Sequence, residues 1–308
     1  MSLPTIKQLR YFVALEKHTH FGKAARACFV SQPAFSVAIR ELESTLNAQL
    51  VDRTNKKVTI THIGKAVAAQ ARQVLNDLDG LVELARENQQ PLSGRLNLGV
   101  IPTIAPFLLP GMLPKLRRSY PGLELYLKED QTDRVYASLM AGELDVILIA
   151  LPYALKNVES MILFRDHFYL ACRKDTKLID PENYNIEKLP QESILLLEDG
   201  HCLRDHALSA CKIGNQAKIS NVAASSLLTL IQMIDADLGV TFIPEMALGS
   251  SMLRNTQVKT WPIKSASYRE IGLVWRKGSM RGKEFRLLGE FIKNTKKSLF
   301  PGGHVRVS

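Results

Sequence analysis

A proline-free stretch of helical character, residues 64–90, constrains the fold of this chain more than any other feature. Its apolar side chains recur at intervals of four and three residues, which is the spacing of a coiled-coil seam. These residues are Val67, Ala71, Val74, Leu78, Leu81 and Ala85. A helix of about 25 residues is roughly 37 Å long, and a second helix normally covers so narrow an apolar stripe. We therefore expect a dimerisation helix; an amphipathic helix lying on the next domain is the alternative.

The charge of the chain is distributed unevenly on either side of this helix. The chain has 308 residues, more than a single core of about 250 to 300 residues accommodates. Residues 1–63 carry a net charge of +5 and residues 276–308 carry +7, whereas residues 64–275 carry −2. A basic N-terminal block favours a nucleic-acid partner, although a solvated surface produces the same pattern.

The N-terminal block has the pattern of three short helices followed by a β-wing. The third helix is expected to begin at Ser31, a good N-cap, with Pro33 in its first turn. Only Phe29 and Val30 separate it from the second helix, a spacing typical of a helix-turn-helix. Residues 50–61 are β-branched and basic around a turn, which predicts the wing.

Beyond a linker at residues 91–94, apolar runs of strand length alternate with helical segments. We expect strands at 96–101, 123–127, 145–151, 194–197, 239–243 and 271–275. We expect helices at 108–119, 134–142, 202–213, 224–236 and 284–297. This alternation predicts buried parallel sheets in two small lobes with a cleft between them.

Several classes of protein are excluded by composition. The longest uncharged run, residues 96–114, contains four prolines, which break a membrane-spanning helix. Charged residues occur near the N-terminus before any apolar segment long enough for an export signal. We therefore expect a cytoplasmic protein without membrane association. Four cysteines without a CxxC pair argue against a secreted disulfide framework and a four-thiolate zinc site. His18 and His20 lack a third ligand, so neither a metal nor a cofactor is expected.

The segment FGKAARACFVSQPAFSVAIRELESTLNAQLVDRTNKKVTITHIG, residues 21–64, resembles the winged helix-turn-helix of the LysR-type transcriptional regulators. Its paired alanines, the SQP triplet, the following I-x-x-LE and the later L-x-x-R carry the resemblance. The resemblance extends over the whole chain and implies a regulator that binds a double-stranded DNA operator, not an enzyme. It further implies a homodimer assembling into a homotetramer, contact with RNA polymerase, and a place at the nucleoid.

The fold class that follows is an α+β multidomain protein. It comprises an N-terminal winged helix-turn-helix, a long linker helix, and a C-terminal two-lobed α/β regulatory domain that is similar to periplasmic binding proteins. The expected boundaries are 1–63 for the DNA-binding domain, 64–90 for the linker helix, 91–94 for the hinge, 95–165 with 268–300 for lobe I, 166–267 for lobe II, and 301–308 for the tail.

Candidate DNA-binding residues cluster at the start of the third helix and in the wing. In this docking mode Gln32 is suited to adenine, and Ser36 to base edges or phosphate, while the basic residues hold phosphates. Simple solvation, or N-capping in the case of Ser31, remains the alternative for each polar residue. The full set is Ser31, Gln32, Pro33, Ser36, Arg40, Arg53, Lys56 and Lys57.

Three further segments resemble the hydrogen-peroxide sensors within this family: LEDGHCLRDHALSAC (197–211), GVIPTIAPFLLP (99–110) and IGLVWRKGS (271–279). This resemblance implies activation by hydrogen peroxide, with Cys202 as the peroxidatic and Cys211 as the resolving cysteine, and reduction by cytosolic thiol reductants. It also implies a peroxide pocket formed by Thr103, Thr132, His201, Leu203, Asp205 and Arg276.

The chemistry of this cysteine pair depends on the helix between its members. Cys202 is expected in the first turn of a helix, where free amide hydrogens lower a thiol pKa. Nine residues of helix rise about 13.5 Å, whereas a disulfide needs Cα atoms roughly 4.4 to 6.8 Å apart. Capture of a Cys202 sulfenic acid by Cys211 would therefore require the helix to unwind. Cys28 and Cys172 are interpreted as structural.

Two other functions remain open at this point. A LysR-type regulator that responds to a small organic inducer in the cleft would leave the cysteines incidental. A thiol peroxidase would share the activated cysteine, but it would not need a winged helix.

Overall fold

The computed structural model describes residues 3–54, 57–85, 92–182, 184–185, 188–210, 216–263 and 267–299. They fall into two compact units. The first comprises the N-terminal part of the chain together with residues 137–145 and 278–281, and the second comprises the remaining described residues. The expected tail, 301–308, lies outside the described residues.

The helices of the described residues are α1 (Ile6–His18), α2 (Phe21–Ala27), α3 (Gln32–Leu46), α4 (His62–Ala85), α5 (Ala105–Ser119), α6 (Thr132–Met140), α7 (Cys202–Ala210), α8 (Leu227–Asp235) and α9 (Gly282–Leu299). The strands are β1 (Val51–Thr54), β2 (Lys57–Ile60), β3 (Gly94–Val100), β4 (Leu123–Glu129), β5 (Val146–Leu151), β6 (Val158–Arg173), β7 (Ile194–Leu197), β8 (Ile219–Ala224), β9 (Thr241–Pro244), β10 (Val258–Pro262) and β11 (Tyr268–Arg276).

The N-terminal unit contains the expected winged helix-turn-helix. α3 begins where the sequence predicts, because Ser31 accepts a hydrogen bond from the N–H of Ala34. α2 begins at Phe21, after His20, whose Nδ1 accepts from two backbone N–H groups. His20 is therefore a helix cap. Phe12, Phe35 and other apolar side chains of α1 to α3 pack together in the core below the antiparallel β1–β2 wing.

The long helix α4 starts at His62, two residues before the predicted position. Ala68 and Ala71 are buried, and Ala68 belongs to the N-terminal core. Farther along the seam, Val74 is 37% and Leu81 58% exposed. A Cβ at Gly64 would collide with the carbonyl oxygen of Leu50, so the start of α4 needs glycine for its close approach to the wing. Residues 86–90 of the predicted helix lie outside the described residues.

The main sheet of the second unit has the order β10-β6-β11-β5-β3-β4, with β9 also paired to β6. β3 pairs in parallel with β4 and β5, but β11 runs antiparallel to both β5 and β6. The expectation of parallel sheets therefore holds for β3 with β4 and β5, but it is wrong for β11 and its neighbours. An apolar run buried on both faces has the same sequence pattern whichever way its neighbour runs, so the pattern did not reveal the antiparallel strands.

A long strand connects the two halves of this sheet. β6 pairs with β11 as far as His167, and from Phe168 onward it pairs with β9 and β10. The parallel pair β7–β8 lies beside β9 through a bridge between Ile194 and Val240. Helices α7 and α8 pack in the same half, and this two-lobed α/β arrangement confirms the expected fold class.

A capping residue shifts the start of one predicted helix, whereas another begins where it was expected. α8 begins at Leu227 rather than at residue 224, because Ser226 caps it. α7 begins at Cys202 as predicted and is helical to Ala210, and the rest of its predicted span lies outside the described residues. Across the described part of the chain, none of the helices is long and apolar enough to cross a membrane.

Candidate functional site

Cys202 is the first residue of α7, and its side chain is buried among groups from three other elements. The backbone N–H of Ala150 in β5 and the hydroxyl of Thr132 at the start of α6 both stabilise its thiolate, as does the charge of Arg269 in β11. Only 6% of Cys202 is exposed. The fold therefore brings the ends of two helices and two strands together around one sulfur atom.

Burial raises the pKa of the Cys202 thiol, and this effect exceeds the lowering by Arg269, Thr132 and Ala150. The charge of Asp205 raises it further. The expectation of a lowered thiol pKa is therefore wrong for this structure. A helix N-terminus stabilises a thiolate, but loss of hydration in a buried site costs more. At neutral pH the resting side chain is a protonated thiol.

Arg269 lies in a fully buried network that links four segments. Its Nη1 donates to Thr103 Oγ1 at 2.8 Å, and its Nη2 donates to the Thr103 carbonyl oxygen at 2.9 Å. Its Nε donates to Asp166 Oδ2 at 3.0 Å. The other carboxylate oxygen of Asp166 accepts from the N–H of Met246. The guanidinium is thus held in one orientation with its charge near the sulfur.

Asp166 has no exposed side-chain surface, and neither has Arg269. Burial raises the pKa of Asp166, while Arg269 and the N–H of Met246 act in the opposite direction. A buried ion pair of this kind is sensitive to loss of either partner.

The prediction that Arg276 belongs to the pocket is wrong. Arg276 ends β11 opposite Val158, seven residues beyond Arg269. Seven residues of strand extend roughly 23 Å. Both arginines are buried in the same strand, and Arg269 is the one that contacts Thr103 and acts on Cys202. Strand alternation offered no signal, because β11 is buried on both faces from Ile271 to Arg276.

The remaining predicted pocket residues have different surroundings. Thr132 is buried, and its hydroxyl faces the sulfur of Cys202. Among the described residues, however, its Oγ1 has no hydrogen-bond partner of ordinary geometry. His201 Nε2 lies 3.9 Å from a carboxylate oxygen of Glu198. Leu203 packs in the apolar core of its lobe, and Asp205 is exposed in the first turn of α7.

Burial also raises the thiol pKa of the other two described cysteines. Cys172 is fully buried in β6, and burial raises its pKa to about 12. Cys28 caps the C-terminus of α2, and partial burial raises its pKa. Cys211 lies outside the described residues. No group of three His, Cys, Asp or Glu side chains suited to a metal ion occurs in the portion of the chain that the structure describes.

The predicted DNA-reading residues lie at the exposed start of α3. Ser31, Gln32, Pro33 and Arg40 are exposed, and Ser36 is half-buried. Ser31 also caps the helix, so its side chain has a structural role. Arg53 and Lys57 belong to β1 and β2, where the structure does not describe their side chains, and Lys56 lies outside the described residues.

Comparisons with known proteins agree with this architecture. The model of the LysR substrate binding domain matches residues 89–297, and the model of the bacterial regulatory helix-turn-helix protein, lysR family, matches residues 6–65. The regulator EstR of Acinetobacter baylyi is 38% identical over 293 residues, which cover 95% of this chain and 97% of that protein. The hydrogen peroxide-inducible genes activator of Escherichia coli O157:H7 is 39% identical over 291 residues, covering 94% of each.

A solved structure extends the likeness to the whole molecule. Full-length OxyR from Pseudomonas aeruginosa, in a variant form, superposes with a TM-score of 0.79 at 33% identity, covering 94% of this chain and 98% of that one. With both family models matched in the expected order, the chain belongs to the LysR family of bacterial helix-turn-helix transcriptional regulators and is similar to its OxyR members over nearly its whole length.

Proposed function

We propose that this chain is a DNA-binding regulator of the oxidative-stress response, activated by hydrogen peroxide through a Cys202 sulfenic acid and a reversible Cys202–Cys211 disulfide. The observation that carries the proposal is the position of Cys202, buried at the first residue of α7 beside Thr132 and Arg269. The likeness to a hydrogen peroxide-inducible activator supports the same function.

The chemistry balances with the residues at hand. The sulfur of Cys202 attacks one peroxide oxygen, the O–O bond breaks, and the other oxygen leaves as water after gaining a proton. The thiol of Cys211 then attacks the sulfenic acid and releases a second water as the disulfide forms. Cytosolic thiol reductants return both thiols by exchange. Each cycle consumes one peroxide per chain. Repeated turnover with a thiol reductant at catalytic rates would indicate a peroxidase, whereas a single oxidation per chain indicates a sensor.

The helix between the cysteines converts this local reaction into a change of shape. Ala210 lies eight positions after Cys202 in α7, a rise of roughly 12 Å. Disulfide-bonded Cα atoms lie roughly 4.4 to 6.8 Å apart. To bring Cys211 to Cys202, α7 must unwind. Because α7 packs against β7 and β11, its unwinding alters the core of the regulatory domain.

The DNA-binding part of the proposal depends on α3 and α4. The exposed start of α3 enters the major groove of an operator, with Gln32 and Ser36 at base edges and Arg40 at phosphate. A second copy of α4 covers the exposed seam residues Val74 and Leu81 and forms the homodimer. Two dimers form the homotetramer that contacts RNA polymerase, and the regulator acts in the cytoplasm at the nucleoid.

Peptide mapping after one equivalent of hydrogen peroxide tests the proposal. We expect a Cys202–Cys211 disulfide in the full-length protein, together with a changed footprint on operator DNA. Cys202→Ser should bind DNA but lose the response, and Cys211→Ser should stop at the sulfenic acid. A protein that changes its footprint with a small organic inducer, while peroxide leaves both thiols free, would instead favour the inducer-binding alternative.

A further inference from the structure

His206 lies one helical turn after Cys202, on the same face of α7. Residues four apart on a helix are neighbours, and helical side chains lean toward the N-terminus, so the imidazole leans toward the turn that carries the sulfur. Contacts at the end of β5 give a second indication that the two residues are close. The N–H of Ala150 is directed at Cys202, and the carbonyl oxygen of Pro152 lies 2.9 Å from His206 Nε2.

Both contacts are made at the same end of one strand. Ala150 lies in β5, and Pro152 follows the last residue of that strand. Cys202 and His206 are four residues apart on α7, which is about 6.0 Å along the helix. The thiol and the imidazole therefore lie one helical turn apart and meet the same end of β5.

The hydrogen bond to Pro152 defines which nitrogen of His206 carries the proton. A carbonyl oxygen only accepts, so Nε2 carries the hydrogen and Nδ1 of the neutral ring has a free lone pair. Nδ1 is buried and has no hydrogen-bond partner among the described residues. Burial lowers the pKa of His206, and the charge of Arg269 from β11 lowers it further, while the Pro152 carbonyl and Asp205 on α7 oppose this. The ring is thus neutral at physiological pH.

Nδ1 of His206 is a neutral acceptor, and it lies one helical turn from the Cys202 thiol, which must lose its proton before it reacts. A thiol reacts with peroxide only as the thiolate. Asp205 is exposed to water, and its charge disfavours the thiolate. We infer that Nδ1 of His206 accepts the thiol proton of Cys202 during attack on hydrogen peroxide, a step that deepens the sensing function proposed above.

The proton is conserved through the reaction. His206 takes the S–H proton and becomes imidazolium as the thiolate sulfur forms its bond to one peroxide oxygen. The O–O bond breaks toward the second oxygen, which leaves as hydroxide and takes the proton back from Nδ1 as water. Sulfur is oxidised by two electrons, peroxide is reduced by two, and His206 returns to its neutral form.

The test measures the second-order rate of sulfenic-acid formation at Cys202 from pH 5 to 9. The protein is the full chain with Cys211→Ser, and trapping with a dimedone-type reagent is followed by intact mass. In this parent, the rate should fall on acidification below the ordinary imidazole value of 6.5. His206→Gln retains an N–H donor for Pro152 but has no proton-accepting nitrogen. It should react about 100-fold more slowly at pH 7, and its rate should rise with pH throughout the range, because only the free thiolate then reacts and burial raises the thiol pKa.

Matched variants separate proton transfer from structural support. Free imidazole should restore part of the rate in His206→Ala, which a merely structural role would not allow. His167→Gln, an exposed imidazole on β6, should leave rate and profile unchanged. Asp205→Asn should react faster, because its charge opposes the thiolate; a slower reaction would make Asp205 the proton acceptor instead.

The possible failures are distinguishable. If the parent forms no sulfenic acid at Cys202, the proposed peroxide function fails. If the parent reacts, and His206→Gln reacts at the same rate with the same pH profile, His206 is not the acceptor while peroxide sensing stands. Should neither His206 variant fold, the parent profile decides, since a rate that keeps rising about tenfold per pH unit from pH 6.5 to 9, as expected for free thiolate alone, contradicts the inference.

Discussion

Arg269 and Thr103 are joined by two hydrogen bonds, one to the threonine hydroxyl and one to its carbonyl oxygen, at 2.8 and 2.9 Å. This double contact fixes the loop before α5 against β11, and with it the guanidinium whose charge favours the Cys202 thiolate. Only a planar fork of donors makes such a pair of bonds while also binding a carboxylate. The position of the positive charge beside the sulfur is therefore determined by arginine geometry.

Replacement of Arg269 by lysine should slow oxidation of Cys202 strongly. Lysine keeps the charge but loses the fork, and removal of one preorganised donor typically costs about 100- to 1000-fold in rate. Stopped-flow measurement with hydrogen peroxide checks the effect. Arg276→Lys, seven residues along the same strand, is the matched control and should react at the parent rate. Equal slowing by both variants would contradict the assignment.

Asp166→Asn should destabilise the regulatory domain. The change removes the negative partner of Arg269 and leaves its charge buried, which costs about 3 to 5 kcal/mol. Urea unfolding followed by circular dichroism measures the loss. Replacement of the exposed Asp175, which pairs with Arg173 at the surface, should change the free energy of unfolding much less. Similar effects of the two changes would mean that burial of the Asp166 pair contributes little.

Cys172 should resist peroxide under conditions that oxidise Cys202. With a pKa of about 12, only about one Cys172 side chain in ten thousand is a thiolate at pH 8, and its surface is fully buried. Peptide mass spectrometry after brief peroxide treatment should find Cys172 unmodified. Oxidation there before Cys202 would show that the groups stabilising the Cys202 thiolate, Arg269, Thr132 and Ala150, do not promote its reaction.

Acidification should destabilise the fold through His206. Its pKa is lowered in the folded protein, so below the ordinary value of 6.5 the unfolded chain binds more protons than the folded one. Stability is therefore complete above that pH and declines as the pH falls below it. Urea midpoints between pH 5 and 8 should show this decline, and His206→Gln should reduce it. An unchanged decline in the variant would assign the effect to another group.

Salt dependence of DNA binding tests the role of α3. If Arg40 neutralises one operator phosphate, Arg40→Ala should make the slope of log affinity against log salt shallower by about 0.9. Fluorescence anisotropy at several salt concentrations provides the slope. Lys259→Ala removes an exposed charge from β10 and should leave the slope as it is. A parental slope in Arg40→Ala would place Arg40 away from the phosphates.

The sequence predicts those features that depend on residues close together along the chain. Ser31 and Pro33 define the start of α3 because capping acts within one turn. The helical character of α4 could be read from its apolar spacing, whereas its role as a dimer seam stays a prediction. Val74 and Leu81 of the predicted seam are exposed, but Val67 packs against the N-terminal core. Cys202 begins α7 as expected because a strand and a turn precede it.

The features that were missed depend on contacts distant in sequence. Arg269 meets Thr103 across 166 positions and Asp166 across 103, so no local pattern connects them. The thiol pKa was misjudged because the helix terminus is local, whereas the burial that outweighs it comes from other elements. β6 was not predicted because charged residues such as Arg165 and Asp166 interrupt its apolar pattern.

The continuity of β6 has a consequence for how this molecule unfolds. One 16-residue strand supplies backbone hydrogen bonds to both halves of the regulatory domain. If either half unfolded, β6 would lose hydrogen-bonded neighbours along part of its length, and the rest of the same strand belongs to the other half. Opening one lobe therefore also destabilises the other. The regulatory domain is accordingly expected to melt in one cooperative transition, and neither half should survive as an independent fragment.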